Sequence, residues 1–523
     1  MAMKTLEISR RQVLAGATAV GAGVLASGLT GRGIGETAAA ATDQPVAVRM
    51  ARDIQVLDPG YMVGGAEYVT QLAVLPALAR VAPGDEWQWQ PTEFVTRLEQ
   101  TDDLNIAFAL RPGLMWSGGH GEFTADDVKY SIERLKESEW SGRWEAVSHV
   151  EVTDKYNGVI VLNYPFAPIW LTALAAASGA IVSRSATEAV GGQFTTQIPS
   201  TLGAFTHEWT PNQQITFTRD PSWTARPAEF AVVNYLLVED DNAAELAFEA
   251  GEVNLTEVTP STAERWRDNP PRNSVMKAIA GQGYTWMGMN TEHPKLQDVR
   301  VRKAIQRAID PSVILQASYG GMAPRSNGIV PPGLLGHRTS TAYAYDPDEA
   351  RRLLTEAGVS DLSLTLQVLN QQKNVTSAQI IQQQLADIGI AVEVIPLDAG
   401  PFWNMGQESK GDAYKDLQLW IMGYSATADP FDHFQWFVSS QVGVWNWERW
   451  SDPEFDALYE QGTRETDSAK RNEIYTRLGD IMEDTGAYVW ITHEPAIRAW
   501  SRFVGDPVGP GGAYNFALMT YQG

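Results

Sequence analysis

Leu362-Ser363-Leu364-Thr365-Leu366-Gln367-Val368, then Ser377 to Ile388, then Ile390 to Ile395 read as strand, helix and strand. The first run alternates apolar and polar residues with period two, the pattern of a strand with one buried face. In the second, Ile381, Leu385 and Ile388 fall on one helical stripe, and Gly389 follows as a stop. Strand, helix and strand joined this closely make a βαβ unit with a parallel pair, so the fold class is α/β.

The same grammar extends outward. A helix opens at Asp346-Pro347, with proline in the first helical position, and closes at Gly358. Upstream, Val46-Ala47-Val48-Arg49-Met50, Asn105 to Leu110 and Gln214 to Thr218 are strand-like and alternate with helical segments. Thr124-Ala125-Asp126-Asp127 starts a further helix: a capping hydroxyl and two early carboxylates suit its positive end, and Val128, Ile132 and Leu135 share one face. After residue 41 there is neither an internal repeat nor a low-complexity tract.

The first 41 residues read as an export signal. Ser9-Arg10-Arg11-Gln12-Val13-Leu14 is a twin-arginine pattern, a mildly apolar run follows from Val13 to Leu29, and Ala38-Ala39-Ala40 supplies small residues for cleavage. The apolar run is shorter than the roughly 20 strongly apolar residues that span a bilayer. The sequence holds no cysteine, which excludes disulfides, thiolate metal sites, thiol nucleophiles and a lipidated cysteine anchor. The expectation is a freely diffusing monomer in the periplasm, exported by the twin-arginine route, not lipidated and not membrane-embedded.

The formal charge is −23, and removing the signal's net +2 leaves about −25. Such a surface repels nucleic acid and anionic lipid and keeps a secreted protein dispersed. The mature length is too great for one core and suits several subdomains. Tryptophan is in excess, with 18 residues, several of them between Trp403 and Trp450; most such rings belong to cores, but some can serve a ligand.

Signatures of catalysis are missing. There is no Gly-x-Ser-x-Gly elbow, no His-Glu-x-x-His, no phosphate-binding loop and no calcium loop. Gly281-Gln282-Gly283 lacks the rest of a dinucleotide fingerprint, so no cofactor is expected. The seven histidines are scattered without ligand spacing, which argues against a metal. Asp429 and Asp432 could imitate a glycosidase pair, yet carboxylates beside a proline are more often turn caps. A secreted hydrolase is the remote alternative.

Thr124 to Leu135, the preceding Phe108 to Gly113, Leu57-Asp58-Pro59, Leu202 to Phe205, Asn290-Thr291, Asp298 to Ile305 and Asp346 to Gly358 occur in order along the chain. Together they resemble the peptide and nickel family of extracellular solute-binding proteins, family 5, which includes dipeptide and oligopeptide binders. The chain departs from that pattern at Trp116-Ser117-Gly118-Gly119 and at Ala204. The resemblance implies the two-lobed periplasmic-binding-protein fold, type II-like and of the large cluster C form, with an extra subdomain in lobe one. It places lobe one at residues 42–279 plus 487–523, the insertion at about 82–197, and lobe two at 280–486. The implied function is the substrate-binding component of an ABC importer. It would close on an oligopeptide or related small compound and deliver it to a membrane permease energised by separate ATPase subunits, without being an enzyme itself.

Cleft positions carried over by the resemblance are Val63, Gly64, Gly65, Trp286, Trp403, Gly423, Tyr424, Ser425 and Thr427; Asp429, Trp445, Asn446 and Trp447 are further candidate ligand contacts from their residue types. Thr427 falls where peptide binders offer an aspartate to the ligand's amine, Ile421 where a carboxylate-binding arginine can occur, and Asp429 would substitute for the missing aspartate if the loop is one residue shorter. The tryptophans could stack on a sugar face, a proline ring or a quaternary amine, so an oligosaccharide or opine-like conjugate is the second cargo. Replacing Trp286 and Trp403 by alanine is then expected to abolish binding without unfolding.

Overall fold

The computed structural model describes residues 42–61, 64–84 and 86–523. The export signal and Val63 lie outside them. Two large sheets dominate. A seven-stranded sheet runs in the order Ser274–Ile279, Ala496–Ser501, Leu255–Glu257, Val46–Met50, Val232–Leu237, Gln214–Arg219 and Phe205–Thr210. A five-stranded sheet runs Ile390–Leu397, Leu362–Leu369, Leu419–Tyr424, Tyr284–Met289 and Tyr488–Thr492. A four-stranded antiparallel sheet, Val95–Asp102, Asn105–Leu110, Asn157–Leu162 and Val147–Val152, belongs to the stretch between the first two strands of the large sheet.

The βαβ unit forms as expected. Leu362–Leu369 pairs in parallel with Ile390–Leu397, Leu362 opposite Ile390. The connecting helix is Gln372–Ala386, starting five residues ahead of the expected Ser377. Ile381, Leu385 and Ile388 are buried in the core of the five-stranded sheet, and Gly389 has φ of 87°. Asp346 caps the Pro347–Glu356 helix by accepting the Glu349 N–H at 3.0 Å. At Ala125–Arg134 the anticipated capping box is present, with Asp127 accepting the Thr124 N–H at 2.9 Å.

That helix also explains the Leu57-Asp58-Pro59 turn. Asp58 is fully buried and accepts both Arg134 guanidinium nitrogens, at 2.8 and 2.7 Å, together with the Gly60 N–H. Two motifs 76 residues apart are one buried ion pair.

The chain passes between the two large sheets near residues 280–283 and 493–495, and these segments lie against each other. A Cβ at Gly281 would run into the Glu494 carbonyl oxygen, so glycine is required there by space. His493 Nδ1 faces the Gly283 carbonyl at 3.1 Å and His433 Nε2 the Gln282 carbonyl at 2.9 Å. Both imidazoles are buried, and desolvation depresses their pKa values, His493 to about 3. They hold the crossing segments in place.

Candidate functional site

A cavity of about 810 Å³ opens between segments belonging to the different sheets, within the range of small-molecule sites. One side is formed by Gly64, Gly65 and Tyr68 at the start of the Gly65–Val74 helix, Arg80 to Gly84 with Trp87, Arg143, and Leu171 with Ala175 to Ala177. The other is formed by Gln282 and Ala426 to Ala428, just past the strand Leu419–Tyr424. The C-terminal loop from Asp506 to Thr520 closes the floor.

Of the residues anticipated from sequence, Gly64, Gly65 and Thr427 line this cavity. A Cβ at Gly65 would meet nothing within 4 Å, whereas one at Gly64 would strike the Arg52 guanidinium, which pairs with buried Glu67 at 2.7 Å. Thr427 donates its N–H to Asp432 at 2.6 Å, while its buried hydroxyl has no partner among the described residues. Gly423 and Ser425 are exposed beside the cavity without lining it.

The expectation for the tryptophans is corrected. Trp286 is fully buried and donates its indole N–H to Glu448 at 2.7 Å, within one core that also holds Trp420 and Trp447. Trp447 donates to the Val444 carbonyl at 3.1 Å. Asn446 is buried too, with its amide on the Phe437 and Trp450 carbonyls at 3.0 Å each. These side chains are consumed by packing and by internal hydrogen bonds, so they have no face left for a ligand. Trp403, Tyr424 and Trp445 are half-buried, and the Trp445 ring lies 6.1 Å from Tyr424 and 6.4 Å from Trp403. They back the loop that carries Thr427 and do not reach the cavity.

Asp429 is corrected as well. It caps the Pro430–Phe434 helix, accepting the Phe431 N–H at 3.0 Å, and its carboxylate is paired with buried Arg471 at 2.9 Å. Arg471, held by that carboxylate and by Tyr475, has its pKa pushed up against the cost of burial. Asp429 is a structural anion and cannot replace an amine-binding aspartate. The turn-cap reading of this carboxylate holds.

Several cavity residues escaped the sequence reading. Trp87 is a half-buried wall whose N–H donates to the Gly333 carbonyl at 3.4 Å, and a Cβ at Gly511 would come within 2.8 Å of its indole. Arg143, Arg226 and Lys277 are missed cations of the lining, beside Arg80, which pairs with Glu93. Lys277 pairs with Asp506 at 3.3 Å. None of these sits in a recognisable motif, though Trp87 lies in the aromatic pair Trp87-Gln88-Trp89.

Two sheets with a cavity between their segments define a two-lobed binding protein rather than a single-core domain. The sequence from 87 to 460 matches the bacterial extracellular solute-binding proteins, family 5, and the chain belongs to that family. It is 24% identical over 470 residues to the dipeptide-binding protein of Escherichia coli K12, covering 82% of this chain and 84% of that one. It is 23% identical over 436 residues to the glutathione-binding protein GsiB of E. coli O1:K1, covering 80% and 84%. Among solved structures, HbpA2 from Haemophilus parasuis superposes with a TM-score of 0.82 at 20% identity, covering 92% of this chain and 100% of that one. The fold is therefore the two-lobed one expected.

Among the described residues, no helix is long and apolar enough to cross a membrane, and no three His, Asp or Glu side chains converge as metal ligands.

Proposed function

We propose that this chain is the exported, freely diffusing binding component of an ABC importer, and that it captures a peptide or related small compound in the cleft and presents it to a permease. The observation that carries the reading is a cavity lined from both sheets, with the chain crossing twice between them beside it. A ligand touching both walls favours the closed arrangement by its differential contacts, and closure is the signal a permease can read. The names of the relatives, one a dipeptide binder and one a glutathione binder, support a peptide-sized cargo.

On this reading the seven-stranded sheet is the core of lobe one, at 42–279 plus the C-terminal stretch, with the insertion at about 82–197. Lobe two is built on the five-stranded sheet. Because Tyr488–Thr492 pairs in that sheet and Ala496–Ser501 in the other, we put the return crossing at 493–495 rather than at 487. Export by the twin-arginine route without lipidation, a monomeric state and the absence of turnover complete the proposal. The oligosaccharide reading loses the support of Trp286, Trp403, Trp445 and Trp447, which do not line the cleft, and keeps that of Thr427, which does.

A thermal-shift screen of the mature protein against short peptides, oligosaccharides, opines and Ni²⁺ tests the reading, because a ligand that binds only the native state raises Tm. Stabilisation by peptides with unchanged peptide after incubation is the expected result. Stabilisation by sugars alone, or consumption of the peptide, sinks it.

A further inference from the structure

We infer that the cargo carries a carboxylate or comparable anionic group and lacks a free α-ammonium group, with Arg143 and Arg226 as its charge contacts. This deepens the cleft reading above and rests on it.

The argument begins with which charges in the cavity are already spoken for. Four cations line it: Arg80, Arg143, Arg226 and Lys277. Arg80 is paired with Glu93, and Lys277 with Asp506 at 3.3 Å. Arg143 is different. Its guanidinium lies 4.5 Å from the ring centre of Trp140, half-buried, and makes no hydrogen bond or ion pair among the described residues. Burial lowers its pKa, and Asp432 alone acts in the opposite sense. That carboxylate is already engaged by the Thr427 N–H at 2.6 Å and by the Gln435 amide. Arg226 is exposed, and its side chain likewise makes no hydrogen bond or ion pair among the described residues.

The anions tell the complementary story. Asp506, the carboxylate in the lining, faces Lys277 and accepts the Val508 N–H at 3.2 Å. Asp429, the other candidate for an ammonium group, is buried against Arg471. An incoming ammonium would therefore lose water and meet, among the described lining residues, four cations and one carboxylate, Asp506, which already faces Lys277. An incoming carboxylate would meet a guanidinium already stacked on an indole and short of acceptors, the geometry in which arginine binds best. The partnerless Thr427 hydroxyl can donate to the same group.

Calorimetric titration of the mature protein at low salt tests this with one alanine tripeptide in four forms: free, N-acetylated, C-amidated and doubly blocked, plus glutarate. N-acetylation is expected to leave Kd unchanged or to tighten it, and amidation to weaken binding by about tenfold or more. Arg143→Gln should weaken the free-acid forms by about tenfold and leave the amides unchanged, with Arg143→Lys recovering part of the loss. Loss of binding on N-acetylation, or amides binding as well as acids, overturns the inference. If no tripeptide binds but glutarate does, and Arg143→Gln abolishes it, the charge assignment stands and the peptide reading fails. Silence from all five overturns both.

Discussion

Two tryptophan-lined regions of this molecule do opposite things. In the core of the five-stranded sheet, Trp286, Trp447 and Trp450 are buried and each donates its indole N–H to an internal acceptor, Trp450 to the Tyr488 hydroxyl at 2.5 Å. At the cleft, half-buried Trp87 lines the cavity together with Thr427, whose hydroxyl has no partner among the described residues, and with Arg143, whose guanidinium lies over half-buried Trp140. An excess of tryptophan thus says little about ligand binding. What separates a binding wall from a core is where the partnerless polar groups sit: Glu448 Oε2 and the Trp420 indole nitrogen are enclosed in the core, whereas Thr427 and Arg143 line the cavity.

The sharpest way to break this comparison is a pair of truncations. Trp286→Ala should destabilise the protein by about 3–5 kcal/mol in denaturant melts, the usual cost of emptying a core of an aromatic ring. The fraction that stays folded should bind cargo normally. Trp87→Ala should do the reverse, costing about tenfold in affinity with a much smaller change in stability. Lost affinity without lost stability for Trp286→Ala would return that residue to the ligand.

Next in size is the Asp429–Arg471 pair. Arg471→Met leaves a buried carboxylate uncompensated and should cost about 3 kcal/mol, the lower end for breaking such a pair. The double change with Asp429→Leu should recover much of it. If the double variant binds no cargo while folding normally, Asp429 is not merely structural.

Glu448 offers a pH test of the core. Burial raises its pKa from 4.5 to about 8, and its Oε2 has no partner among the described residues. The folded state then holds a proton that the unfolded state releases between those values. This contribution to stability is complete below about pH 4.5 and is lost as pH rises through about 8. Glu448→Gln should remove that part of the slope, raising Tm by a few degrees at pH 8 and hardly at all at pH 5. An unchanged slope would mean that Glu448 is not held neutral. Depressed histidines such as His493, protonated when unfolded, pull the other way in acid, so the comparison is made between variant and parent at each pH.

The smallest effect sharpens the cleft side. Thr427→Val deletes a buried hydroxyl without a partner, so stability should hold or rise by a few tenths of a kcal/mol. Affinity should fall by about 1 kcal/mol, roughly fivefold, if that hydroxyl meets the cargo. Equal affinity would remove Thr427 from the site.

Local signals were legible because they are local. Period-two alternation at Leu362–Leu369, the apolar stripe of Ile381, Leu385 and Ile388, and the caps at Thr124 and Asp346 act within one element, and each stands where the sequence placed it. Ordered motifs likewise marked the family and the two-lobed fold. The site was legible only in part: Gly64, Gly65 and Thr427 reach the cavity, whereas Trp286, Asn446, Trp447 and Asp429 do not.

The reason is that linear spacing does not record partnership. By itself the sequence determined the α/β class, the element boundaries to within a few residues, the acidic surface and the absence of thiol chemistry. Which side chains remain free was decided by tertiary structure. Arg471 claims Asp429 from 42 positions away, Glu448 claims Trp286 across 162, and Arg143 is stacked on Trp140 with no hydrogen bond or ion pair among the described residues. A group's capacity to bind is what remains after its neighbours in space, rather than in sequence, have taken their share.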